Sequence, residues 1–90
     1  MLSILIPVRN ESDNLDEIHN SFSKKLSEIN YEVLLINDFS EDDTLNKAQK
    51  LFSQSKKFKV FNNNKKGLGG AINLGIKESS GSHIVIMMAD

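Results

Sequence analysis

Four short apolar runs punctuate the chain: residues 3–8 (SILIPV), 33–37 (VLLIN), 58–61 (FKVF) and 84–89 (IVIMMA). Most of them read as continuous Ile, Val and Leu, the pattern of strands covered on both faces, as in a parallel sheet. FKVF alternates instead, which places it nearer an edge. The connections between the runs are longer and amphipathic. Leu15, Ile18, Phe22, Leu26 and Ile29 recur at spacings of three and four, lining one face of a helix for which Asn10 or Ser12 is a suitable cap. In the second connection Ser40 stands three residues before Asp43, a variant of the capping box, ahead of Leu45, Ala48, Leu51 and Phe52 on one side. A third helix runs from Gly67 through Ala71, Leu74 and Ile76 to SSGS, where Gly81 suits the left-handed C′ position. The order βαβαβαβ predicts right-handed crossovers and an α/β, doubly wound, mostly parallel sheet with helices on both faces.

Composition narrows what such a domain can do. Ninety residues form at most one small domain, and a chain of that size buries only roughly 60–65% of its unfolded surface. Eleven Lys and Arg against twelve Asp and Glu leave a charge of −1, which provides no basic footprint for nucleic acid and no polybasic membrane patch. The absence of cysteine rules out a disulfide framework or a thiolate site. The start MLSILIPVRNE lacks the positive n-region of a signal peptide, and no run approaches the ~20 apolar residues of a membrane span. A cytoplasmic location is expected, at the membrane face if later segments anchor there.

In an open parallel sheet, ligands bind outside the carboxyl ends of the strands. The residues there are PVRNE after the first run, NDFSED after the second, NNNKKGLGG after the third and Asp90 after the fourth. Pro7 lacks a ladder donor and marks where the first strand leaves the sheet. Glu11 and Asp38 are both acceptors suited to a base or a sugar, and both lie near a helix start, where the dipole favours acids. Helix-end duty suffices for Glu11. Asp38 stands apart because Asn37, Asp38, Asp42 and Asp43 crowd one tip more heavily than capping needs, and structural and binding readings are evenly matched there.

KKGLGGAINLG is a glycine-rich entry to a helix, suited to close approach of a phosphate. It fits neither GxGxxG, because Ile72 stands at the last glycine, nor a Walker A loop. Gly69, Gly70 and Gly75 equally suit tight helix-to-sheet packing. His19 and His83 have no partners at metal-ligand spacing and read as structural.

SILIPVRNES, LLINDFSEDDT, KKGLGGAINLGIKESSG and IVIMMAD, in that order, resemble the N-terminal half of family 2 glycosyltransferases of the GT-A fold. The pattern is most similar to that of the polyprenyl-phosphate (dolichyl-phosphate) mannosyl and glucosyl transferases. The resemblance implies strand order 3-2-1-4 and makes residues 1–90 the nucleotide-sugar-binding part of such a domain, ending at its Asp-x-Asp position. It places Pro7, Arg9 and Glu11 beside the nucleobase and ribose, with the Arg9 guanidinium where an aromatic is commoner. Asp38 would accept from the base, with Gly67, Gly69, Ala89 and Asp90 along the nucleotide sugar. A divalent metal, Mg²⁺ or Mn²⁺, would be held by Asp90, but Met88 replaces the first aspartate of the motif, and its soft thioether is not a donor for a hard cation.

The implied reaction moves a sugar from a UDP- or GDP-sugar to an acceptor such as a polyprenyl phosphate. The family's general base and acceptor site belong to later segments, so no catalytic residue is assigned and these 90 residues alone are expected to be inactive. A nucleotidyltransferase would need a glycine-rich loop where PVRNES stands, and a receiver-like domain a phosphorylatable Asp where NNNKK stands. A non-catalytic nucleotide-binding fragment is the remaining alternative. The uncharged run at 84–89 predicts self-association as a homodimer.

Overall fold

The computed structural model describes residues 1–25, 30–53 and 56–88 of the chain. In chain order they form β1 (Leu2–Val8), a 3-10 turn (Ser12–Asn14), α1 (Leu15–Lys25), β2 (Tyr31–Asn37), α2 (Thr44–Phe52), β3 (Phe58–Asn62), α3 (Leu68–Glu78) and β4 (His83–Ile86). The strands make one parallel sheet in the order β3-β2-β1-β4, the expected one.

Alternation along each strand divides the core into two layers. Ile4, Ile6 and Val8 of β1, Val33 and Leu35 of β2 and Phe58 of β3 point to one side, where Leu15 and Phe22 of α1 and Ala48 and Phe52 of α2 close over them. Leu5, Leu34 and Ile36 are buried on the other side. Gly75 of α3 packs there against Leu5 and Ile36. Each fully buried Leu, Ile or Val contributes about 1.5–3 kcal/mol, so the central strands, β2 above all, anchor the domain. β3 is an edge, as the sequence predicts, with Phe58 its one buried residue. β4 is the other edge, and all of its residues are exposed. His19 is structural as expected: its ring lies 5.3 Å from that of Phe52 and 5.2 Å from that of Phe58, bridging α1 to α2 and β3.

Several local expectations are corrected. Pro7 does not end β1 but pairs with Ile36, and the strand continues to Val8. Alternate residues of β1 bond to alternate neighbours, so the proline nitrogen faces β4, beyond the last pair Leu5↔Ile86, where no donor is required. α2 starts at Thr44 rather than after Ser40, because the Ser40 hydroxyl accepts from the Asn10 amide instead of capping. Neither Asn10 nor Ser12 caps α1, which is led in by the 3-10 turn. β4 stops at Ile86, short of the full apolar run. Gly81 is not left-handed, since Gly67 is the glycine with positive φ. Its small size is what matters: a Cβ there would stand 2.5 Å from Ser3 Oγ and 2.6 Å from the Met1 carbonyl. Leu26 and Ile29 lie outside the described residues. Among the described residues, no helix is long and apolar enough to cross a membrane.

At the amino ends of the strands, Glu32 is buried. Its Oε2 accepts from Ser3 Oγ (2.7 Å) and the Ser80 amide (2.6 Å), and its Oε1 from Lys59 Nζ (3.1 Å). Ser3 Oγ in turn accepts from the Gly81 amide at 2.8 Å, so one carboxylate ties the turn that precedes β4 to the middle of the sheet. Burial pushes the Glu32 carboxyl up, but the Ser3, Ser80 and Lys59 donors outweigh it and hold the group below its ordinary value.

Candidate functional site

The β1–α1 and β2–α2 connections are stitched together at the carboxyl end of the sheet. Asn10 adopts φ 54°, a left-handed conformation that asparagine tolerates better than most residues. Its Oδ1 accepts from the Glu41 amide at 2.7 Å and the Asp42 amide at 3.4 Å. In the same seam the Glu11 amide donates to Thr44 Oγ1 (3.0 Å) and the Ser12 amide to Asp42 Oδ2 (3.4 Å).

The crowd of polar groups at the β2 tip now divides. Asp42 is a loop element: Oδ1 accepts from the Thr44 amide and hydroxyl, and the hydroxyl is the main reason its carboxyl sits below the ordinary aspartate value. Asp43 accepts from Asn46 Nδ2. Asn37 donates to Asn62 Oδ1 at 3.1 Å. Asp38, by contrast, lines a cavity.

That cavity, about 210 Å³, is bounded by Pro7, Val8, Arg9, Glu11, Asp38, Leu68 and Met88. The sheet order explains the assembly, because β1 lies between β2 and β4 and the entry to α3 crosses the same end. Pro7, Arg9, Glu11 and Asp38, all singled out in the sequence, are thereby brought together. Glu11 also has a local duty, since its Oε2 accepts from Asn14 Nδ2 at 2.6 Å.

Asp38 is only 8% exposed. Its amide donates to the Val8 carbonyl at 2.8 Å, fixing its backbone to β1. Oδ1 accepts from Asn63 Nδ2 and from the Gly67 amide, both at 3.0 Å. Burial pushes the carboxyl up, but Gly67, Asn63 and the positive charges of Arg9 and Lys66 outweigh burial and hold it below the ordinary aspartate value. The result is an ionised acceptor at the cavity wall. A carboxylate so held suits an N–H or O–H donor on a ligand.

The glycines have distinct duties. Gly67 adopts φ 114°, which L side chains rarely take, and in that conformation turns its amide toward Asp38. Gly70 lies against the Lys65 carbonyl so closely that no Cβ fits. Gly69 faces open space and does not line the cavity.

Asn63 is the residue the sequence reading passed over. Its signal was present: an asparagine two residues before Lys65 forms an Asx turn, with Oδ1 accepting from the Lys65 amide at 3.2 Å.

Ala89 and Asp90 lie outside the described residues. Among the described residues, no cluster of three or more His, Cys, Asp or Glu is placed to hold a metal. Met88 lines the cavity with a thioether, and the nearby carboxylates of Glu11 and Asp38 already accept hydrogen bonds from protein donors. With a thioether and two carboxylates that each keep one oxygen in a protein hydrogen bond, the described lining falls short of the oxygen-rich set that a hard divalent cation takes.

Comparison with known proteins places these features in a family. The profile of glycosyl transferase family 2 matches residues 3–90. The chain is 38% identical over 89 residues to the dolichol-phosphate mannosyltransferase of Pyrococcus furiosus, covering 99% of this chain and 25% of that protein. It thus spans about a quarter of that relative's length. Among solved structures, TarS of Staphylococcus aureus in complex with UDP-GlcNAc superposes with a TM-score of 0.84 at 25% identity, over 99% of this chain and 26% of that one. The mannosyltransferase PcManGT of Pyrobaculum calidifontis, in complex with GDP-Man and Mn²⁺, shares the fold with a TM-score of 0.82 at 19% identity, over 99% and 27%. The chain belongs to glycosyl transferase family 2.

Proposed function

We propose that residues 1–90 form the nucleotide-sugar-binding part of a glycosyltransferase whose donor is a UDP- or GDP-sugar. The observation that carries this reading is Asp38, a buried ionised acceptor in the wall of a cavity that Pro7, Arg9 and Glu11 also line. Uracil and guanine both present ring N–H donors that such a carboxylate accepts, whereas the corresponding ring nitrogen of adenine is itself an acceptor facing a negative charge. Pro7 and the Arg9 guanidinium supply flat surfaces for the base, and Glu11 is an acceptor for ribose hydroxyls.

A polyprenyl phosphate is the acceptor this reading favours, by similarity to the Pyrococcus furiosus relative. The metal expectation rests on Asp90 alone, and binding of the base is independent of it. The exposed β4 edge, apolar from Ile84 to Met88, suits pairing with a second copy of the chain, since a strand edge is complementary to its own antiparallel image.

Titration of the protein with UDP, GDP and ADP, followed by NMR, tests the donor assignment. Shifts concentrated at residues 7–11 and 36–40, with UDP or GDP preferred over ADP, are expected. A preference for ADP, or shifts confined to other surfaces, overturns it.

A further inference from the structure

We infer that Asn63 is a positioning residue for nucleobase selection, holding one oxygen of Asp38 so that the other is presented to the ligand. The inference rests on the reading of Asp38 as the base acceptor and adds a residue that this reading does not need. The sheet itself makes the juxtaposition. Asn62 pairs with Asn37 in the parallel ladder, and the Asn63 amide donates to the Asn37 carbonyl at 2.9 Å, carrying the register one step further. Asn63 and Asp38 are thereby neighbours on the α3 side of adjoining strand tips, where Asn63 is 6% exposed.

The chemistry around the Asn63 amide admits one orientation. Nδ2 is surrounded by acceptors: Asp38 Oδ1 at 3.0 Å, the Gly67 carbonyl at 3.2 Å and the Lys65 carbonyl. Oδ1 meets the Lys65 amide, a donor, at 3.2 Å. Rotating the group by half a turn would set its oxygen against oxygens on every side of Nδ2. Asn63 therefore closes the 63–67 loop on itself and fastens that loop to Asp38, while the Gly67 amide supplies the second bond to the same oxygen. Asp38 Oδ1 is filled by two donors, and among the described residues none donates to Oδ2. The outward oxygen is then a single acceptor of fixed direction, which discriminates a base with a ring N–H from one without.

The test is the ratio of affinities for UDP and ADP, in which binding and titration of the shared diphosphate cancel. Asn63→Ser shortens the side chain out of reach, and Asn63→Asp replaces the donor with a second carboxylate. Both are expected to lower the UDP-to-ADP ratio by about tenfold at pH 7 while leaving ADP affinity unchanged, the scale of one hydrogen bond to a charged group. In Asn63→Asp a proton taken up between the facing carboxylates returns a donor to Asp38 Oδ1, so the ratio should recover toward the parent value as pH drops from about 8 to 5, a recovery the unsubstituted protein does not show. In the unsubstituted protein the Asn63 side-chain amide signal should move with UDP and not with ADP, a readout that needs no variant to fold. Variants that keep the native spectrum and the original ratio, or an amide signal indifferent to UDP, overturn the inference. Asp38→Asn separates the two levels: if it leaves the ratio unchanged, the base-acceptor reading itself fails. If it abolishes the preference while both Asn63 variants retain it, only the role of Asn63 fails.

Discussion

Gly75 of α3 lies directly on Leu5 of β1: a methyl group at position 75 would stand 2.6 Å from Leu5 Cγ and 2.8 Å from Ile36 Cδ1. Helix propensity alone would favour alanine there by about 1 kcal/mol. Overpacking wins, because helix and sheet meet in a filled layer. Gly75→Ala should destabilise the fold by roughly 1–3 kcal/mol. Gly69→Ala, in open space on the same helix, should be neutral or stabilising by up to about 1 kcal/mol. Urea unfolding of the pair checks both; equal effects would mean that α3 does not seat on the sheet as described.

Glu32 gives the fold an acid limb. Its folded-state carboxyl lies below the ordinary glutamate value, so its contribution is present above about pH 4.3 and is lost as pH falls through the lowered value. Glu32→Gln should cost about 1–3 kcal/mol at pH 7 and flatten the stability profile between about pH 5 and 3. A variant with the same acid limb as the parent would place the titration elsewhere.

Asn10 combines an uncommon backbone angle with two amide contacts across the loops. Asn10→Gly keeps the angle and loses the contacts. Asn10→Ala loses both, and should be the less stable by roughly 1 kcal/mol, the left-handed penalty of a side chain. Thermal unfolding of the two variants side by side measures that gap, and alanine as stable as glycine would contradict it.

Chelation should weaken binding of UDP only slightly. The base contact assigned to Asp38 needs no cation, and Met88 brings to the cavity lining a soft thioether, which a hard cation does not favour. Calorimetry with EDTA against Mn²⁺ is expected to differ by less than about tenfold in affinity, that is under ~1.4 kcal/mol. A larger loss would show that Asp90 and its surroundings form a strong metal site after all.

The β4 edge predicts concentration-dependent association. Val85 and Met87 are each 43% exposed and lie on the same face of the chain. Replacing both with lysine should shift sedimentation or light scattering toward monomer, because charged edges resist pairing. A parent protein that is monomeric at high micromolar concentration refutes the self-association.

Strand and helix existence was legible because burial on both faces writes unbroken apolar runs, and burial on one writes a three-four spacing. The cavity walls at Pro7, Arg9, Glu11 and Asp38 were legible for a related reason: they are the residues that follow those runs. The caps were not. Ser40 and Asn10 looked like local cap residues, yet they satisfy groups on each other's loops, and no local pattern encodes a partner thirty residues away. Gly81 was read for its backbone freedom, when its constraint is the oxygen of Ser3 beside it. Asn63 became visible only with the β2–β3 register, since its importance comes from standing opposite Asp38.

The Glu32 network bears on something well beyond stability. It grips Ser80 and, through Ser3, Gly81, the turn from which β4 departs with His83 opposite Leu2. Successive side chains of an extended segment turn to opposite sides, so where that segment is gripped sets the parity of everything downstream. Move the grip by one residue and Met88 rotates off the cavity wall, bringing its neighbour Met87 round in its place. A carboxylate at the floor of the sheet thus phases the chain that reaches its roof, and a one-residue insertion after Gly81 would change which residue faces the site without substituting any residue that lines it.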